Sequence, residues 1–444
     1  MTRYRCAAAW VGDAIAHDVD ITVGADGRIA AISPSDATDA DVVVLPGVVL
    51  PGFANAHSHA FHRALRGRTH GDGGTFWTWR DRMYRVARML DPGSYHALAR
   101  AVFGEMVLAG VTCVGEFHYV HHAPDGTAYA DPNAMGEALR HAAREAGLRL
   151  TLLDTCYLAG GLGAGGHSPL AVEQRRFTDG DAGAWADRVS LLSDDATTRI
   201  GAAIHSVRAV PREEIPTVVR AAEGRPLHVH LSEQTAENTA CLEHYGMTPT
   251  ALLRDAGALG PRTTAVHATH LTDDDIAALG SSRTSCCFCP TTERDLADGI
   301  GPASRLRDAG SPLCLGSDQH AVIDLIEEAR ALEMHERLVS HERGRHQPAE
   351  LMTALTRAGH RSLGWDDAGR LEVGCRADLV AVRLDTVRTA GSSPEQVLLS
   401  AFAADVDTVV VDGRVVVSGG VHRSLDVAQE LDVTIGRLWS EDAG

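Results

Sequence analysis

The order of apolar and polar positions divides the chain into two β-rich ends and a long middle with a different hydrophobic pattern. Strand-like runs in the two ends lie at residues 18–23, 42–45, 48–50, 378–384 and 408–417. Alternating or β-branched runs of this length are typical of strands, and Gly and Pro mark the turns between them. Pro46-Gly47 splits two of the runs, and Asp412-Gly413 is a hairpin turn signal inside another.

The middle of the chain, from about residue 53 to residue 364, alternates apolar runs with helical stretches. Helices are predicted at residues 94–108, 135–146, 212–222, 273–279, 323–338 and 348–358. Strands are predicted at residues 148–153, 199–204, 226–231, 264–268 and 312–315. Such alternation over about 300 residues predicts an α/β fold with a parallel sheet closed into a (β/α)8 barrel of the TIM type.

The difference in hydrophobic pattern between the two ends and the middle predicts the domain organisation. We expect the barrel to span residues 53–364, and residues 1–52 and 365–444 to pair as a small β-sandwich domain built from both termini. Two segments inside the barrel region are predicted to be loops. Gly160–Gly166 is rich in glycine without a basic residue at the spacing of a phosphate site, and Phe76-Trp77-Thr78-Trp79 could cover the barrel mouth and exclude water.

Length and composition support a large globular protein. The chain has 444 residues, of which 44% are hydrophobic, enough for a sizeable core. No apolar run approaches the roughly 20 residues that a membrane helix needs. The first ten residues lack the apolar segment of a signal peptide, so we expect a cytoplasmic protein.

Charge and residue usage exclude several chemistries. The net charge of −18 disfavours nucleic acid and anionic membranes as partners. The chain contains no lysine, which excludes a Schiff-base lysine, a lysine base and a carbamylated lysine. The odd number of nine Cys without a secretion signal argues against a disulfide scaffold. We interpret Cys286, Cys287 and Cys289 as small buried side chains of a strand.

Histidines recur at the ends of the predicted strands. His57 and His59 are separated by two positions, which places both imidazoles on one face of a strand. Three further strand ends carry comparable groups: His228 and His230 with Glu233 just beyond, His267 and His270, and Asp318. Barrel enzymes keep their chemistry at the carboxyl ends of the strands, so these groups should meet at one mouth.

Three histidines and a carboxylate suit one divalent ion. Zinc fits this donor set best, and Fe²⁺ or Mn²⁺ would also fit. A bridged pair of metals of the carbamylated type needs a lysine, which the chain lacks. Such an ion lowers the pKa of bound water from about 15.7 to around 7.

At these residues the chain resembles the amidohydrolase superfamily over essentially its whole length. The resemblance rests on PGFANAHSH at 51–59, HVHLSE at 228–233, VHATH at 266–270, GSDQH at 316–320 and GRLEVGCRADLV at 369–380. It implies His57, His59, His230 and Asp318 as the metal ligands. It also implies that Glu233 and His267 are catalytic, and it suggests a homodimer.

Within that superfamily the chain is most similar to the formimidoylglutamate deiminase family. The similar strings are HSHAFHRAL at 57–65, FWTWRDRMYR at 76–85, VGEFHYVHH at 114–122, HSVRAV at 205–210, CPTTERDLADGI at 289–300 and IDLIEEARALE at 323–333. This similarity implies hydrolysis of a formimino group, with release of ammonia from a small anionic amidine. It implies substrate contacts by Arg80, Tyr119, His205 and Arg208. The family usually has Gln where this chain has His62, which we still expect to contact the substrate.

The chemistry assigns a role to each of these residue types. The leaving nitrogen needs a proton, and Glu233, three residues beyond a ligand, suits that transfer. His267 and the ligand Asp318 can both accept a proton from water, and the sequence does not divide the work between them. Arg208 and Arg80 suit the carboxylates of the substrate, because the planar guanidinium binds a carboxylate through two hydrogen bonds.

Three other histidines are given structural roles: His228 in the core, and His118 and His270 as structural or rim residues. Two alternatives stay open. A deaminase of a purine, pyrimidine or triazine ring would keep the metal and Glu233 but would need an aromatic clamp. A catalytically inert barrel that serves as a scaffold would be expected to lose ligands that this chain retains.

Overall fold

The fold is built on two eight-stranded sheets and one short hairpin. It is taken from a computed structural model that describes residues 1–36, 41–69 and 76–440. The strands are β1 (Thr2–Val11), β2 (Ala14–Val23), β3 (Ile29–Pro34), β4 (Val43–Pro51), β5 (Phe53–Ser58), β6 (Val111–His118), β7 (Arg149–Cys156), β8 (Gly161–Gly163), β9 (Gly166–Ser168), β10 (Thr198–Ile204), β11 (Leu227–Leu231), β12 (Thr263–His267), β13 (Ser285–Phe288), β14 (Leu313–Leu315), β15 (Leu379–Val382), β16 (Val406–Val411), β17 (Arg414–Ser418) and β18 (Val421–His422).

Helices follow most of the barrel strands. The α-helices are α1 (Phe76–Arg88), α2 (Pro92–Leu108), α3 (Ala134–Ala146), α4 (Ala182–Val189), α5 (Ile215–Ala221), α6 (Thr235–Tyr245), α7 (Pro249–Asp255), α8 (Asp273–Ser282), α9 (Pro290–Asp295), α10 (Ala303–Ala309), α11 (Leu325–Ser340), α12 (Pro348–Thr353), α13 (Gly359–Ser362) and α14 (Val427–Ser440). Short 3₁₀ segments lie at Ala60–Leu65, Val172–Phe177, Pro394–Leu399 and Ala403–Asp405, and a π-helical turn at Ala354–Ala358. None of the helices in the described ranges combines the length and apolar character that crossing a membrane requires.

The first sheet is the predicted parallel barrel. Its strands run in the order β5, β6, β7, β10, β11, β12, β13 and β14, with parallel pairing throughout. The first and last strands approach each other through a parallel bridge between Ser58 and Asp318. The Asn55 amide nitrogen also donates to the Ser317 hydroxyl over 2.7 Å. The fold-class prediction is therefore confirmed.

Barrel strands are buried on both faces because helices cover them from outside. Strands β6 and β7 are buried at every position, as expected for a parallel sheet in an α/β protein. Arg149 on β7 is 0% exposed and pairs with Asp378 and Asp412. Those two carboxylates directly adjoin strands β15 and β16 of the second sheet, so this buried ion-pair cluster connects that sheet to the barrel.

The second sheet joins both termini in the order β18, β17, β16, β15, β4, β1, β2 and β3. Pairing is antiparallel except between β1 and β4. Successive residues of β4 face opposite sides, as the strand period of two requires. Val48 and Leu50 join the main core, whereas Leu45 and Val49 belong to a separate core. The limits of the two predicted domains stay a prediction.

Two local predictions at the termini are wrong. The runs at 42–45 and 48–50 form the single strand β4, because an irregularity opposite Cys6 and Ala8 accommodates Pro46-Gly47. The C-terminal region is not uniformly β, since α14 packs on α2 of the barrel. Trp439 on α14 donates to the Ala64 carbonyl over 3.0 Å. Buried apolar residues recur along one face of α14 with the period of a helix. The interpretation of this region as strands overlooked that pattern.

Two loop predictions within the barrel region are also wrong. Gly160–Gly166 is largely a hairpin, in which β8 pairs with β9 in antiparallel register. Phe76-Trp77-Thr78-Trp79 begins helix α1 instead of forming a loop. Arg80 therefore lies on a helix, with its guanidinium carbon 5.5 Å from the centre of the Tyr84 ring, a cation–π distance.

Candidate active site

The carboxyl ends of the barrel strands open into a cavity of about 230 Å³. Most of the side chains proposed from the sequence line it: His59, His62, Arg80, Tyr119, His205, Arg208, His230, Glu233, His267 and Asp318. His57 is fully buried at 0% exposure and contacts the cluster from within the barrel. The structure thus brings the predicted site residues to one place.

Four predicted ligand atoms converge at the base of this cavity. The Nε2 atoms of His57 and His230 lie 3.1 Å apart. Asp318 Oδ1 lies 3.3 Å from His57 Nε2 and 3.4 Å from His59 Nε2. A tetrahedral ion with ligand distances of about 2.0–2.1 Å requires its ligand atoms to be roughly 3.3–3.4 Å apart. The spacing of these side chains therefore fits a zinc-like ion.

The ring orientations also suit metal binding. Nδ1 of His59 lies 3.0 Å from the Phe117 carbonyl oxygen, and Nδ1 of His230 lies 3.0 Å from the His205 carbonyl oxygen. Because a carbonyl only accepts, each Nδ1 carries the proton and each Nε2 presents a lone pair to the centre. Burial, and then the neighbouring His57, lowers the pKa of His59 to about 3. Neutral imidazole is the form that binds metal.

The strand ends at this site adopt an unusual backbone conformation. His267 and Asp318 have φ angles of 69° and 42°, and Ser232, directly before Glu233, has a φ of 51°. Left-handed conformations in residues other than glycine cost on the order of 1–3 kcal/mol each and concentrate at functional sites. These residues lie at or just beyond the ends of β11, β12 and β14, where Glu233, His267 and Asp318 line the cavity.

His267 is surrounded by three carboxylates. Its Nε2 lies 3.8 Å from Glu233 Oε1 and 3.9 Å from Asp318 Oδ2, and its Nδ1 lies 3.6 Å from Glu293 Oε1. Burial by itself would lower the pKa of His267, but the negative charges of Glu233, Glu293 and Asp318 raise it to about 10. The arrangement places one imidazole between the predicted ligand Asp318 and the predicted proton donor Glu233.

Arg208 is held by two carboxylates on the cavity wall. Its Nη2 donates to Glu233 Oε2 over 3.2 Å, and its Nε lies 3.3 Å from Glu237 Oε2. Its side chain is 18% exposed, whereas that of Glu237 is fully covered. The guanidinium therefore faces the cavity from a fixed position, and both of its acidic partners belong to the same wall.

Aromatic groups form the opposite wall. His62 Nε2 lies 3.0 Å from the Tyr119 hydroxyl, and the rings of His205 and Tyr157 are 4.4 Å apart. The buried Gln174 donates to the hydroxyls of Tyr157 and Tyr84 over 2.8 and 3.0 Å. Gln174 thereby fixes two tyrosines that line the cavity.

A buried polar network holds the end of strand β5, which carries His57. Glu116 accepts hydrogen bonds from the Ser58 hydroxyl over 2.6 Å and from the Ala60 amide over 2.7 Å. Burial raises the pKa of Glu116 to about 8, although these hydrogen bonds partly lower it. The turn after β5, which carries His59, is thus fixed by a carboxyl group inside the protein.

The other histidines lie outside the cavity lining. His228 Nε2 lies 3.1 Å from the Ser362 carbonyl oxygen, and His270 Nε2 lies 2.8 Å from that of Asp298. His118 belongs to a buried group with His121 and Asp154 that has the spacing of a metal site. The guanidinium of Arg188 donates twice to Asp154 over 2.9 Å, so a protein cation already neutralises this carboxylate.

Sequence reasoning missed several side chains of the site. Glu237 lies in the first turn of α6 whereas Glu233 precedes that helix, so no helical spacing in the sequence links the two carboxylates. Glu293 lies inside the string CPTTERDLADGI, but nothing in the string indicates that it reaches His267. Gln174 could not be found, because its tyrosine partners come from distant parts of the chain.

Comparison with known proteins finds amidohydrolases and deaminases among the similar chains. The model of the amidohydrolase family matches residues 48–416. A formimidoylglutamate deiminase from Pseudomonas aeruginosa is 37% identical over 425 residues, covering 92% of each chain. An 8-oxoguanine deaminase from the same organism is 31% identical and covers 86% of this chain and 84% of its own length. An amidohydrolase from Brucella melitensis superposes with a TM-score of 0.91 at 30% identity, over 99% of this chain and 100% of that one.

Proposed function

Because the chain belongs to the amidohydrolase family, we propose that its cavity hydrolyses N-formimino-L-glutamate to N-formyl-L-glutamate and ammonia. The observation that carries this proposal is the joint presence of Arg80 and Arg208 in the cavity that contains the convergent histidines. Two guanidinium groups suit a substrate with two carboxylates. The relative that is 37% identical to this chain is a formimidoylglutamate deiminase. The family and the coarser activity, hydrolytic deamination at a non-peptide C–N bond, do not depend on this choice of substrate.

We propose that His57, His59, His230 and Asp318 hold one divalent ion. Three nitrogen donors and one oxygen donor favour zinc, with Fe²⁺ and Mn²⁺ as alternatives. When bound, an ion of this type activates water for attack on an electrophilic carbon. Analysis of the purified protein by atomic emission measures both the identity of the metal and its amount per chain.

The remaining groups move protons and orient the substrate. Hydrolysis adds water across the C=N bond of the amidine, and ammonia leaves once its nitrogen has gained a proton. Glu233 lines the cavity beside His267 and is the proposed donor of that proton. Asp318 is the proposed acceptor of the proton lost by water. His267, whose Nε2 lies 3.9 Å from Asp318 Oδ2 and whose pKa is raised to about 10, already carries a proton and is proposed to hold the attacking oxygen by donating to it.

The substrate contacts follow from the two walls of the cavity. Arg208 and Arg80 are proposed to bind the carboxylates. Tyr119, His62 and His205 are proposed to contact the formimino end, because His59 packs against His62 with ring centres 4.6 Å apart. The hydrogen bond between His62 and Tyr119 gives this chain a fixed donor and acceptor pair where the family usually has Gln. The family resemblance also supports a homodimer, which sedimentation velocity would test.

A second candidate is a deaminase of a heterocyclic ring. The aromatic wall of Tyr84, Tyr119, Tyr157 and Phe177 supports it, as does the 31% identity to an 8-oxoguanine deaminase. A flat ring could stack on such a wall. The two arginines in the lining favour the acidic substrate, because a guanidinium binds a carboxylate through paired hydrogen bonds.

One assay separates the candidates. Ammonia release is measured side by side with N-formimino-L-glutamate, guanine and 8-oxoguanine, on protein of known metal content. We expect turnover of the formimino acid, with little ammonia from either purine. Turnover of a purine alone would reject the acidic substrate, and the activity class would still stand.

A further inference from the structure

The ion-pair geometry around Arg208 is asymmetric. Glu237 is held at one oxygen by a hydrogen bond, because Oε1 accepts from the Ser232 amide over 3.2 Å, while Oε2 lies 3.3 Å from Arg208 Nε in an ion pair. Glu237 also lies in the first turn of α6, where the helix dipole favours a negative charge. Its side chain is fully covered. Glu237 is therefore a fixed anchor for the guanidinium.

Glu233 contacts the same guanidinium differently. It accepts a hydrogen bond from Arg208 Nη2 over 3.2 Å, and both residues line the cavity. Its other oxygen, Oε1, is 3.8 Å from His267 Nε2. Glu233 thus occupies a donor of Arg208 that a substrate carboxylate could use. It is also the proposed donor of a proton to the leaving nitrogen.

Charge favours the exchange of one carboxylate for another on Arg208. The guanidinium already lies beside Glu233 and Glu237. A substrate carboxylate bound there would be the third, and like charges at this distance repel one another. The side chain of Glu237 is fully covered and accepts from the Ser232 amide, whereas that of Glu233 is partly exposed, so Glu233 is the partner that can leave.

We infer that Glu237 is a positioning residue that retains Arg208 while the substrate carboxylate displaces Glu233 from it. This inference rests on the proposed function, because it needs an acidic substrate. The displaced Glu233 is then free to turn towards the leaving nitrogen. Recognition of the carboxylate and release of the proton donor thereby become one event. A neutral compound cannot take the place of Glu233 on Arg208.

The two carboxylates are expected to have opposite effects on binding. Glu233→Gln removes the competitor for Arg208, so a dicarboxylate should bind about tenfold more tightly. Glu237→Gln removes the anchor, so the same ligand should bind about tenfold more weakly. If both groups merely added negative charge, each substitution would tighten binding. The signs therefore separate anchoring from simple repulsion.

The experiment measures binding of N-formyl-L-glutamate, the proposed product, by isothermal titration calorimetry on zinc-loaded protein. The variants are Glu233→Gln, Glu237→Gln and Glu237→Asp, which keeps the charge but withdraws it from Arg208. Glu243→Gln, an exposed change on the same helix, is the matched control and should bind like the wild type. Glu237→Asp should weaken binding in the same direction as Glu237→Gln, and it serves the test if the Gln variant does not fold.

The outcomes are distinguishable. Weaker binding by the Glu237 variants, together with tighter binding by Glu233→Gln, supports the inference. Unchanged or tighter binding by folded Glu237 variants overturns it and leaves the proposed substrate intact. Absence of binding by the wild-type protein, together with no ammonia release from N-formimino-L-glutamate, overturns the proposed function and this inference with it.

Discussion

Glu233 is the side chain on which the proposed proton transfer depends, and its surroundings agree with that role. It is 6% exposed, lines the cavity and lies beside His267. It is none of the four proposed ligands, so its role can be separated from metal binding. A carboxylate of this kind can pass a proton to the leaving nitrogen in a site that excludes most water.

Glu233→Gln is expected to retain the metal and to lose about a hundredfold or more in kcat, the range for lost general acid–base catalysis. Gln has nearly the same shape but cannot donate a proton as an acid. The measurement is the initial rate of ammonia release at saturating substrate, with metal content determined on the same sample. Turnover close to that of the wild type would reject Glu233 as the proton donor.

Arg208→Ala is expected to raise KM for the acidic substrate by about tenfold or more, because a charge-assisted hydrogen bond is worth about 1.5–3 kcal/mol. The metal content should not change, since Arg208 contacts Glu233 and Glu237 and none of the proposed ligands. Steady-state kinetics and metal analysis check both statements. Unchanged kinetics would refute the carboxylate role.

The buried Glu116 should make stability depend on pH. Burial raises its pKa from 4.5 to about 8, so the folded protein retains a proton that the unfolded chain has lost. Stability from this group is therefore fully present below about pH 4.5 and declines as the pH rises towards about 8. Glu116→Gln cannot lose a proton, so its Tm relative to the wild type should increase across this interval.

Calorimetric melting at several pH values, with zinc present, would measure that difference. Glu223→Gln, an exposed substitution, is the control and should shift Tm equally little at every pH. A difference between Glu116→Gln and the wild type that is independent of pH would show that Glu116 titrates normally.

At the scale of single elements, the hairpin β8–β9 is a structural part of the cavity. Gly160 and Gly161 line the cavity, and His167 on β9 lies 3.0 Å from the Tyr245 hydroxyl of α6. The loop prediction is wrong because a high glycine content does not prevent two short segments from pairing as a hairpin. The backbone pairing between β8 and β9 has no side-chain signature that a sequence could show.

Gly160→Ala is expected to disturb the aromatic wall. A Cβ at this position would lie 2.3 Å from the Pro169 carbonyl oxygen and 3.1 Å from Gln174 Oε1, so the neighbours must shift. Overpacking of this kind costs about 1–3 kcal/mol, and displacement of Gln174 would misplace Tyr84 and Tyr157. Both a lower Tm and a higher KM should follow.

Gly163→Ala in the same hairpin is the matched control, because nothing lies within 4 Å of its added Cβ. Thermal melting and steady-state kinetics of the two variants are compared directly. Equal behaviour of the two variants would show that the wall does not depend on close packing at Gly160.

At the scale of the whole molecule, the barrel could be predicted because its signals are local and repeated. The strand near residues 226–231 and the helix near residues 273–279 were each visible as a short apolar run or an amphipathic stretch. Their order alone implies a parallel sheet. Helix α14 was missed because a short amphipathic helix at the end of a β-rich region has no repeated context.

The candidate site could be predicted less completely, for a physical reason. The position of a proposed ligand such as Asp318 follows from the end of its strand, so the sequence indicates it. Contacts between loops do not follow in this way. The pairing of Arg208 with Glu237 and of His267 with Glu293 depends on how separate loops pack, and that information is spread over the chain.

The proposed ion joins strands that are distant in sequence, so its removal should weaken the entire fold. His57 lies on β5, His230 on β11 and Asp318 three residues after β14, where the barrel closes. A ligand that binds only the folded state adds about 4 kcal/mol of stability when its free concentration is a thousand times Kd. Chelation should therefore lower Tm by several degrees, and added zinc should restore it. In Asp318→Ala, which removes a proposed ligand, chelation should shift Tm much less. An equal shift in both proteins would place the metal elsewhere.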